Sequence, residues 1–199
     1  MDASTDPATI AFYQGRAPHW VFHSGERHSH QLDAFLDRLP PGGPVLELGC
    51  GGGRDAARIR ERGFSVDATD AVPALVTRAN QAFDLGARVM AFHELDAEAA
   101  YAGIWAHASL LHCPRGALPD VLCRIHRALV PGGWHFASYK LGEGEGRDLL
   151  GRLHNFPPPE WLIAAYEQAG FAIAAQETYA GKSSDGTQRD WIDLIVRKP

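Results

Sequence analysis

From Pro44 onward, short apolar runs alternate with longer amphipathic segments along the chain. The first run, Pro44–Leu48, has the sequence PVLEL, whereas residues 118–129 place their apolar side chains three and four positions apart, as one face of a helix does. Strands that alternate with helices in this way form βαβ units, in which helices cover both faces of a parallel sheet. The pattern therefore predicts a doubly wound, Rossmann-like α/β fold.

The same pattern predicts individual elements. Short runs rich in branched or aromatic residues predict strands at residues 44–48, 64–70, 88–92, 103–108, 134–139, 171–177 and 191–196. Helical spacing predicts helices at residues 31–39, 54–62, 72–85, 118–129 and 159–169. Only the turn-rich segment GKSSDGT separates the last two strands, so we expect them to pair antiparallel. The polar segment KLGEGEGRD, after the fifth strand, predicts a loop.

The first 40 residues stand outside this pattern. They contain the aromatic, histidine-rich stretch FYQGRAPHWVFHSGERHSH. Phe12, Tyr13, Trp20 and Phe22 need burial although they belong to none of the predicted βα units. We therefore expect residues 1–40 to form a helical lid over the ligand edge of the sheet. Residues 41–199 are expected to form the main domain, in a chain that is a single domain overall.

Composition restricts the class of protein. A chain of 199 residues that is 45% hydrophobic can bury one sizeable core. With 24 acidic against 19 basic residues, it has no broad positive surface for nucleic acid. Three cysteines without CxxC spacing suggest no disulfide framework, and the N-terminal segment MDASTDPATI lacks the basic start of a signal peptide. The cysteine pattern favours a reducing cytoplasm. Because no apolar run approaches the roughly 20 residues of a spanning helix, we expect no membrane partner.

The segment VLELGCGGGRD is the most informative motif, because a buried strand runs into a glycine-rich turn and then into a helix. Such a turn allows a ligand to approach the backbone closely. A dinucleotide fingerprint would read G-x-G-x-x-G, yet counting from Gly49 its last position is Arg54. This departure disfavours a nicotinamide-dependent oxidoreductase, which remains an alternative that needs tight NAD binding.

The segment VLELGCGGG resembles the first motif of class I S-adenosylmethionine-dependent methyltransferases, hydrophobic-x-E/D-x-G-x-G-x-G. The segments GIWAHASLLHCPR and HRALVPGGWHFASYK are similar to a bacterial group of small enzymes that includes tellurite methyltransferases. The resemblance extends from about residue 44 to residue 199. It implies a seven-stranded, mostly parallel sheet with an antiparallel last strand, S-adenosylmethionine as cofactor and S-adenosylhomocysteine as product.

Residues at the carboxyl ends of the first four strands carry the implied cofactor site. Asp70 ends the second strand 21 residues after Gly49, where a carboxylate can accept two hydrogen bonds from a ribose diol. By resemblance, Asp96 and the backbone of Ala97 meet the adenine, although Glu94 and Glu98 compete for the role of Asp96. The predicted cofactor-binding residues are Glu47, Gly49, Gly51, Gly53, Asp70, Ala71, Asp96, Ala97, Ala106 and His107.

Side chains beyond the fourth and fifth strands are predicted to face the methyl acceptor. His112, Tyr139 and Lys140 are the candidate catalytic residues, and Ser109, Arg115 and Arg152 are the candidate substrate-binding residues. A histidine titrates near neutrality and suits general-base work, but a lone histidine after a strand, such as His112, is more often a hydrogen-bonded structural residue. Ser109 could simply cap a short helix. Lys140 and Arg152 could hold an anionic substrate or be solvated loop charges.

The sequence thus predicts a methyltransferase acting on a small-molecule or oxyanion acceptor, tellurite-like or a small metabolite, because no large recognition domain is inserted. The alternatives are an O-methyltransferase of a biosynthetic carboxylate or hydroxyl and a non-catalytic cofactor-binding regulator. We expect a monomer or homodimer with no nucleic-acid partner. Four histidines within twelve residues, His19, His23, His28 and His30, invite a metal interpretation, but they lack cysteine partners and a recognised spacing, so no metal is predicted.

Overall fold

The computed structural model describes residues 4–17 and 29–199. Its strands are β1 (Pro44–Leu48), β2 (Ser65–Asp70), β3 (Arg88–Val89), β4 (Tyr101–Ala106), β5 (Leu129–Lys140), β6 (Gly144–Arg147), β7 (Leu153–Phe156), β8 (Ala172–Lys182) and β9 (Gln188–Arg197). Its helices are α1 (Pro7–Arg16), α2 (Leu32–Leu36), α3 (Arg54–Glu61), α4 (Pro73–Phe83), α5 (Leu118–Ala128) and α6 (Pro159–Gln168). Within these described residues, no helix is both long and apolar enough to span a membrane.

Seven of the strands form one sheet in the order β3-β2-β1-β4-β5-β9-β8. The strands from β3 to β5 are parallel, and β9 runs antiparallel to both β5 and β8. This topology confirms the predicted doubly wound sheet with an antiparallel last strand. The strand order reverses between β1 and β4, and in open α/β sheets ligands bind at the carboxyl ends of the strands beside such a reversal.

Strand alternation divides the core between the two faces of the sheet. On β4, Ile104 packs with the side chains of α5 and α6, whereas the adjacent Trp105 packs with α2 and α3. On β5, Phe136 joins the α2 side and Tyr139 joins the α5 side. Because successive side chains of a strand point to opposite faces, neighbouring residues at a strand end serve different environments.

Two elements differ from the predicted ones. The predicted strand 88–92 is reduced to Arg88–Val89, because the chain turns into a short 3-10 helix at Phe92–Glu94. Strand β5 begins at Leu129, before the predicted start at residue 134, and includes the Pro131–Gly133 segment. The segment bulges out of the sheet, since Tyr101 pairs with Leu129 and Gly103 already pairs with Trp134.

The structure also contains two strands that the sequence analysis does not predict, β6 and β7, and it places helix α1 within the expected N-terminal helical segment. Strands β6 and β7 form a separate antiparallel hairpin, and β6 lies within the segment predicted as a glycine-rich loop. Helix α1 begins after Asp6, whose carboxylate accepts hydrogen bonds from the backbone N–H and the hydroxyl of Thr9. Arg147 of β6 forms an ion pair with the same carboxylate at 2.9 Å. Helix α1 is therefore fastened to the hairpin.

The opposite side of α1 packs on α4. Ile10 and Tyr13 lie against Val72 and Leu75, which precede and begin that helix. The Leu153 N–H of β7 donates to Thr9 Oγ1 at 2.8 Å. Helix α1 thus spans from α4 to the β6–β7 hairpin, across the carboxyl ends of the sheet strands. The division at residue 40 and the lid role of residues 1–40 stay predictions.

Candidate functional site

A cavity of about 410 Å³ lies at the carboxyl ends of the parallel strands, beneath α1. Its wall combines the glycine turn after β1, residues 70–72 after β2, residues 107–109 after β4, Lys140 at the end of β5 and residues of α1 and the hairpin. A cavity of this size accommodates small ligands. The cavity wall contains ten of the predicted site residues: Glu47, Gly49, Gly51, Asp70, Ala71, His107, Ser109, His112, Lys140 and Arg152.

The three alternate glycines of the turn have different surroundings. All three have positive φ angles, of +83° at Gly49, +54° at Gly51 and +85° at Gly53. A Cβ atom at Gly49 would lie 2.4 Å from Ser109 Cβ, and one at Gly53 would lie 2.7 Å from Leu85 Cδ1. A Cβ atom at Gly51 would meet no atom of the described part of the chain within 4 Å. Gly49 and Gly53 are therefore required by packing, while Gly51 leaves open space at the cavity wall.

Asp70 is held by the glycine turn itself. Its carboxylate accepts hydrogen bonds from the Gly51 N–H at 2.9 Å and from the Val72 N–H at 2.8 Å. Burial raises the pKa of Asp70 from 3.8 to about 6, against the opposing effect of these two N–H groups. Each oxygen retains capacity for a further donor, because an ionised carboxylate offers about four acceptor positions.

Glu47 lies beneath the turn and has an unusual environment. It is buried, and its Oε2 has no hydrogen-bond partner among the described residues. Burial, together with the nearby charges of Asp55 and Asp70, raises its pKa well above the ordinary value. A buried polar atom without a partner is uncommon in a folded protein. The orphaned oxygen and the open space at Gly51 together fit a polar ligand seated on this turn.

The loop that follows β4 contacts the end of β1, next to the glycine turn. Ser109 Oγ donates to the Leu48 carbonyl at 2.5 Å, so its hydroxyl ties β4 to the end of β1 and makes no capping bond to the following 3-10 helix. Ala108 has a φ of +51°, an uncommon conformation for alanine, and its N–H donates to Ser138 Oγ at 2.8 Å. Backbone strain of this kind is concentrated at functional sites. Burial lowers the pKa of His107, which also lines the cavity.

His112 meets helix α1 inside the cavity. Its Nδ1 lies 2.7 Å from the Leu153 carbonyl, which can only accept, so Nδ1 carries the proton. Its Nε2 therefore accepts from the hydroxyl of Tyr13, at 2.9 Å. Arg152 Nη1 donates to the same hydroxyl at 2.6 Å. Burial is the main cause that lowers the pKa of His112, to about 3, with help from the charges of His154, Arg152 and Lys140.

Arg152 is anchored by a buried carboxylate. Its Nε and Nη2 donate to Asp148 Oδ2 at 2.9 and 2.5 Å, and Nη2 also donates to Ser184 Oγ. His154 Nε2 donates to the same Asp148 oxygen at 3.1 Å. Hydrogen bonds from Arg152 lower the pKa of Asp148 to about 2 despite its burial. The network fixes the cation that holds the Tyr13 hydroxyl.

Lys140 has no comparable partner. Its side chain is only 3% exposed, and no hydrogen bond or ion pair joins its ammonium to the described residues. Its Nζ lies 5.3 Å from the centre of the Trp191 ring, to which Lys140 is paired across β5 and β9. Burial lowers the pKa of Lys140 to about 8. At neutral pH the cavity wall therefore carries an ammonium group.

Tyr139 and Arg115 do not line this cavity. The Tyr139 side chain is buried on the α5 side, and its hydroxyl lies 2.9 Å from the hydroxyl of Tyr166. Alternation along β5 explains this placement, since it sends Tyr139 to the face opposite that of Lys140. Arg115 donates to Asn155 Oδ1 and to the Phe156 carbonyl, which ties it to the hairpin. The structure thus gives both side chains packing contacts.

The remaining predicted residues outside the cavity wall are Gly53, Asp96, Ala97 and Ala106. Gly53 begins α3 and packs on α4, and Ala106 is fully buried within β4. Asp96 lies on the exposed connection between the 3-10 helix and β4, because β3 ends early and Phe92, rather than Asp96, reaches the cavity. Their cofactor roles stay predictions.

Sequence reasoning missed several residues of the cavity wall. Tyr13, His154 and Trp191 line it, yet they come from α1, the β6–β7 hairpin and β9. Tyr13 was noted only as an aromatic residue in need of burial, and no motif marked the other two. Of the four N-terminal histidines, His19, His23 and His28 lie outside the described residues. Cys50 lies in the turn, and burial raises the pKa of its thiol.

Comparison with known proteins identifies a domain and two relatives. Residues 45–133 match a family model described as a methyltransferase domain. The chain is 29% identical over 151 residues to the ubiquinone biosynthesis O-methyltransferase of Paracidovorax citrulli, an alignment that covers 68% of this chain and 63% of the relative. It is also 29% identical over 172 residues to an uncharacterized methyltransferase of Synechocystis sp., covering 80% and 81%.

The fold is shared with solved methyltransferase structures. One is the 1,6-didemethyltoxoflavin-N1-methyltransferase of Burkholderia thailandensis, solved with 1,6-didemethyltoxoflavin and S-adenosylhomocysteine. It matches with a TM-score of 0.77 and 22% identity, covering 100% of this chain and 93% of that chain. At this identity the likeness concerns the fold. None of these three proteins is named as a tellurite methyltransferase.

Proposed function

We propose that this S-adenosylmethionine-dependent methyltransferase transfers a methyl group to a small-molecule acceptor held between Lys140 and His112. One observation carries the proposal: a single cavity joins the glycine turn and Asp70 to the side chains of α1, β5 and the hairpin. A cofactor half and an acceptor half in one cavity are what a transfer between two small molecules requires. The cavity volume of about 410 Å³ favours small ligands over a protein or a folded RNA.

Three residues fit the cofactor. Asp70 offers a carboxylate for a ribose diol, Gly51 leaves room for a ligand against the backbone, and Glu47 has a buried oxygen that lacks a partner within residues 4–17 and 29–199. When bound, S-adenosylmethionine supplies a methyl group that its sulfonium makes electrophilic. The remaining task of the chain is to position the acceptor and exclude water. Helix α1 covers the cavity and supports the second task.

The chain can also take up a proton from the acceptor. A proton released at the acceptor can enter at the Tyr13 hydroxyl oxygen while the Tyr13 proton passes to His112 Nε2, which already accepts from it. Arg152 holds the hydroxyl in place throughout. With a pKa near 3, His112 is a weak base. It therefore suits an acceptor whose proton becomes strongly acidic as the methyl group arrives, or one that is already ionised.

The acceptor atom is proposed as oxygen or nitrogen. The relative from Paracidovorax citrulli is named an O-methyltransferase, and the structural neighbour from Burkholderia thailandensis is named an N1-methyltransferase. These names support an organic heteroatom acceptor, with methylation of a hydroxyl or carboxylate as the first candidate. A tellurite-like oxyanion is the other acceptor class that the sequence suggested, and no relative reported above supports it.

Calorimetry and a transfer assay test this function. We expect S-adenosylhomocysteine to bind and NAD not to bind. Asp70→Ala should weaken the binding of S-adenosylhomocysteine by about 1.5–3 kcal/mol, because charge-assisted hydrogen bonds are lost. Asp120→Ala, an exposed acid of α5, is the matched control and should leave affinity unchanged. Labelled S-adenosylmethionine should then methylate members of a panel of phenols, carboxylic acids, N-heterocycles and tellurite. Cofactor binding without transfer to any of them would favour a non-catalytic regulator.

A further inference from the structure

Lys140 is a buried cation whose charge the described part of the protein leaves without a hydrogen bond. Lys140 lies at the carboxyl end of β5, is 3% exposed, and its Nζ lies 5.3 Å from the centre of the Trp191 ring. Removing an ammonium group from water is unfavourable unless it is paired or hydrogen-bonded. A single contact with an aromatic face compensates this loss only in part. The position of Lys140 on the cavity wall points to a ligand that completes the pairing.

The charged neighbours of Lys140 are engaged elsewhere. Asp148 accepts from Arg152 and His154, and Asp185 Oδ1 accepts from the N–H and hydroxyl of Thr187. Asp185 Oδ2 has no hydrogen-bond partner among the described residues, and it forms no ion pair with Lys140. Arg189 lies over the Phe156 ring, 4.4 Å from its centre. Arg152 itself is neutralised by Asp148. Lys140 therefore differs from Arg152, because no carboxylate of the described residues forms an ion pair with its ammonium, and Asp185 and Asp148 act on it only through their charges.

The walls beside Lys140 are largely aromatic. The rings of Tyr13, His112, His154 and Trp191 line this half of the cavity, and the two histidine rings lie 4.4 Å apart between centres. Aromatic side chains favour flat, unsaturated ligands through stacking and edge contacts. A flat ring with an anionic oxygen would satisfy the walls and the ammonium together.

We propose that Lys140 binds an anionic oxygen of the methyl acceptor, and that the substrates are aromatic or heteroaromatic acids. The inference rests on the proposed function, since it names the substrate class for the same cavity. The anionic oxygen accepts a hydrogen bond from the ammonium, and the aromatic ring lies among the side chains of Tyr13, His154 and Trp191. Charge at Lys140 then selects acids over neutral molecules of the same shape.

Calorimetry on the protein saturated with S-adenosylhomocysteine tests this inference, with benzoate and benzamide as probes of equal shape and different charge. We expect benzoate to bind at least tenfold more tightly than benzamide. Lys140→Met keeps the length of the side chain and removes its charge. This variant should bind benzoate about tenfold to a hundredfold more weakly, with unchanged affinity for benzamide. Lys198→Met removes a lysine that lies outside the cavity wall and should change benzoate affinity less than threefold.

The outcomes separate this inference from the proposed function. Equal affinity for the two probes, no measurable benzoate binding, or full benzoate affinity in Lys140→Met would each overturn the role of Lys140 while leaving cofactor binding intact. Unchanged affinity of Lys140→Met for S-adenosylhomocysteine reports that the variant is folded. If the unsubstituted protein failed to bind S-adenosylhomocysteine, the proposed function itself would be contradicted, and the substrate class with it.

Discussion

Replacement of Gly51 by alanine separates the ligand role of the glycine turn from its structural role. Gly51 has a φ of +54° and open space where a Cβ atom would lie, whereas Gly49 has a φ of +83° and would place that atom 2.4 Å from Ser109 Cβ. The added methyl at Gly51 would project into the space proposed for the cofactor. We therefore expect Gly51→Ala to fold and to lose cofactor affinity.

The magnitudes follow from the surroundings of each glycine. A left-handed backbone conformation costs an alanine about 1–2 kcal/mol, which is the full folding penalty expected at Gly51. At Gly49 the overlap with Ser109 adds roughly 1–3 kcal/mol of overpacking. At Gly51 a comparable overlap arises only with the ligand, so S-adenosylhomocysteine should bind about tenfold to a hundredfold more weakly.

Urea unfolding of the ligand-free protein and calorimetry with S-adenosylhomocysteine measure the two effects. Gly63→Ala is the matched control, because Gly63 also has a positive φ, of +84°, and open space, but lies after α3 and outside the cavity wall. Its folding penalty should equal that of Gly51→Ala, with unchanged ligand affinity. The reasoning is refuted if Gly51→Ala binds normally, or if it is destabilised as strongly as Gly49→Ala.

Two further predictions concern titratable side chains. The pKa of Asp70 is raised from 3.8 to about 6, so cofactor affinity should fall as the pH drops through 6 and the carboxylate becomes protonated. Calorimetry from pH 5 to 8 measures this change in affinity, and Asp70→Asn should remove the pH dependence. Tyr13→Phe should lower kcat about 10- to 100-fold on an acceptor found in the panel, with S-adenosylhomocysteine affinity unchanged, because only the hydroxyl between Arg152 and His112 is lost. Equal kcat values in the variant and the parent protein would exclude the proton role of that hydroxyl.

The fold could be predicted from the sequence because its signals are local. Residues 44–48 were predicted as a strand and form β1, and the helical spacing of residues 118–129 corresponds to α5, which covers Leu118–Ala128. The antiparallel pairing of the last two strands also agrees with the prediction. The β6–β7 hairpin could not be predicted from the sequence, because the glycines of β6 favour a loop in isolation and form a strand only when paired with β7.

The residues of the candidate site also separate into those that a local sequence pattern predicts and those that only tertiary packing brings together. The sequence by itself determined the glycine turn and Asp70 at the end of β2, because a strand, a turn and a following helix within one short segment specify them. Only the tertiary structure decided that Lys140 faces the cavity while Tyr139 packs in the core, and that Tyr13 meets His112. The physical reason is that these contacts join residues far apart in the chain, so they depend on how strands and helices pack and on no local pattern.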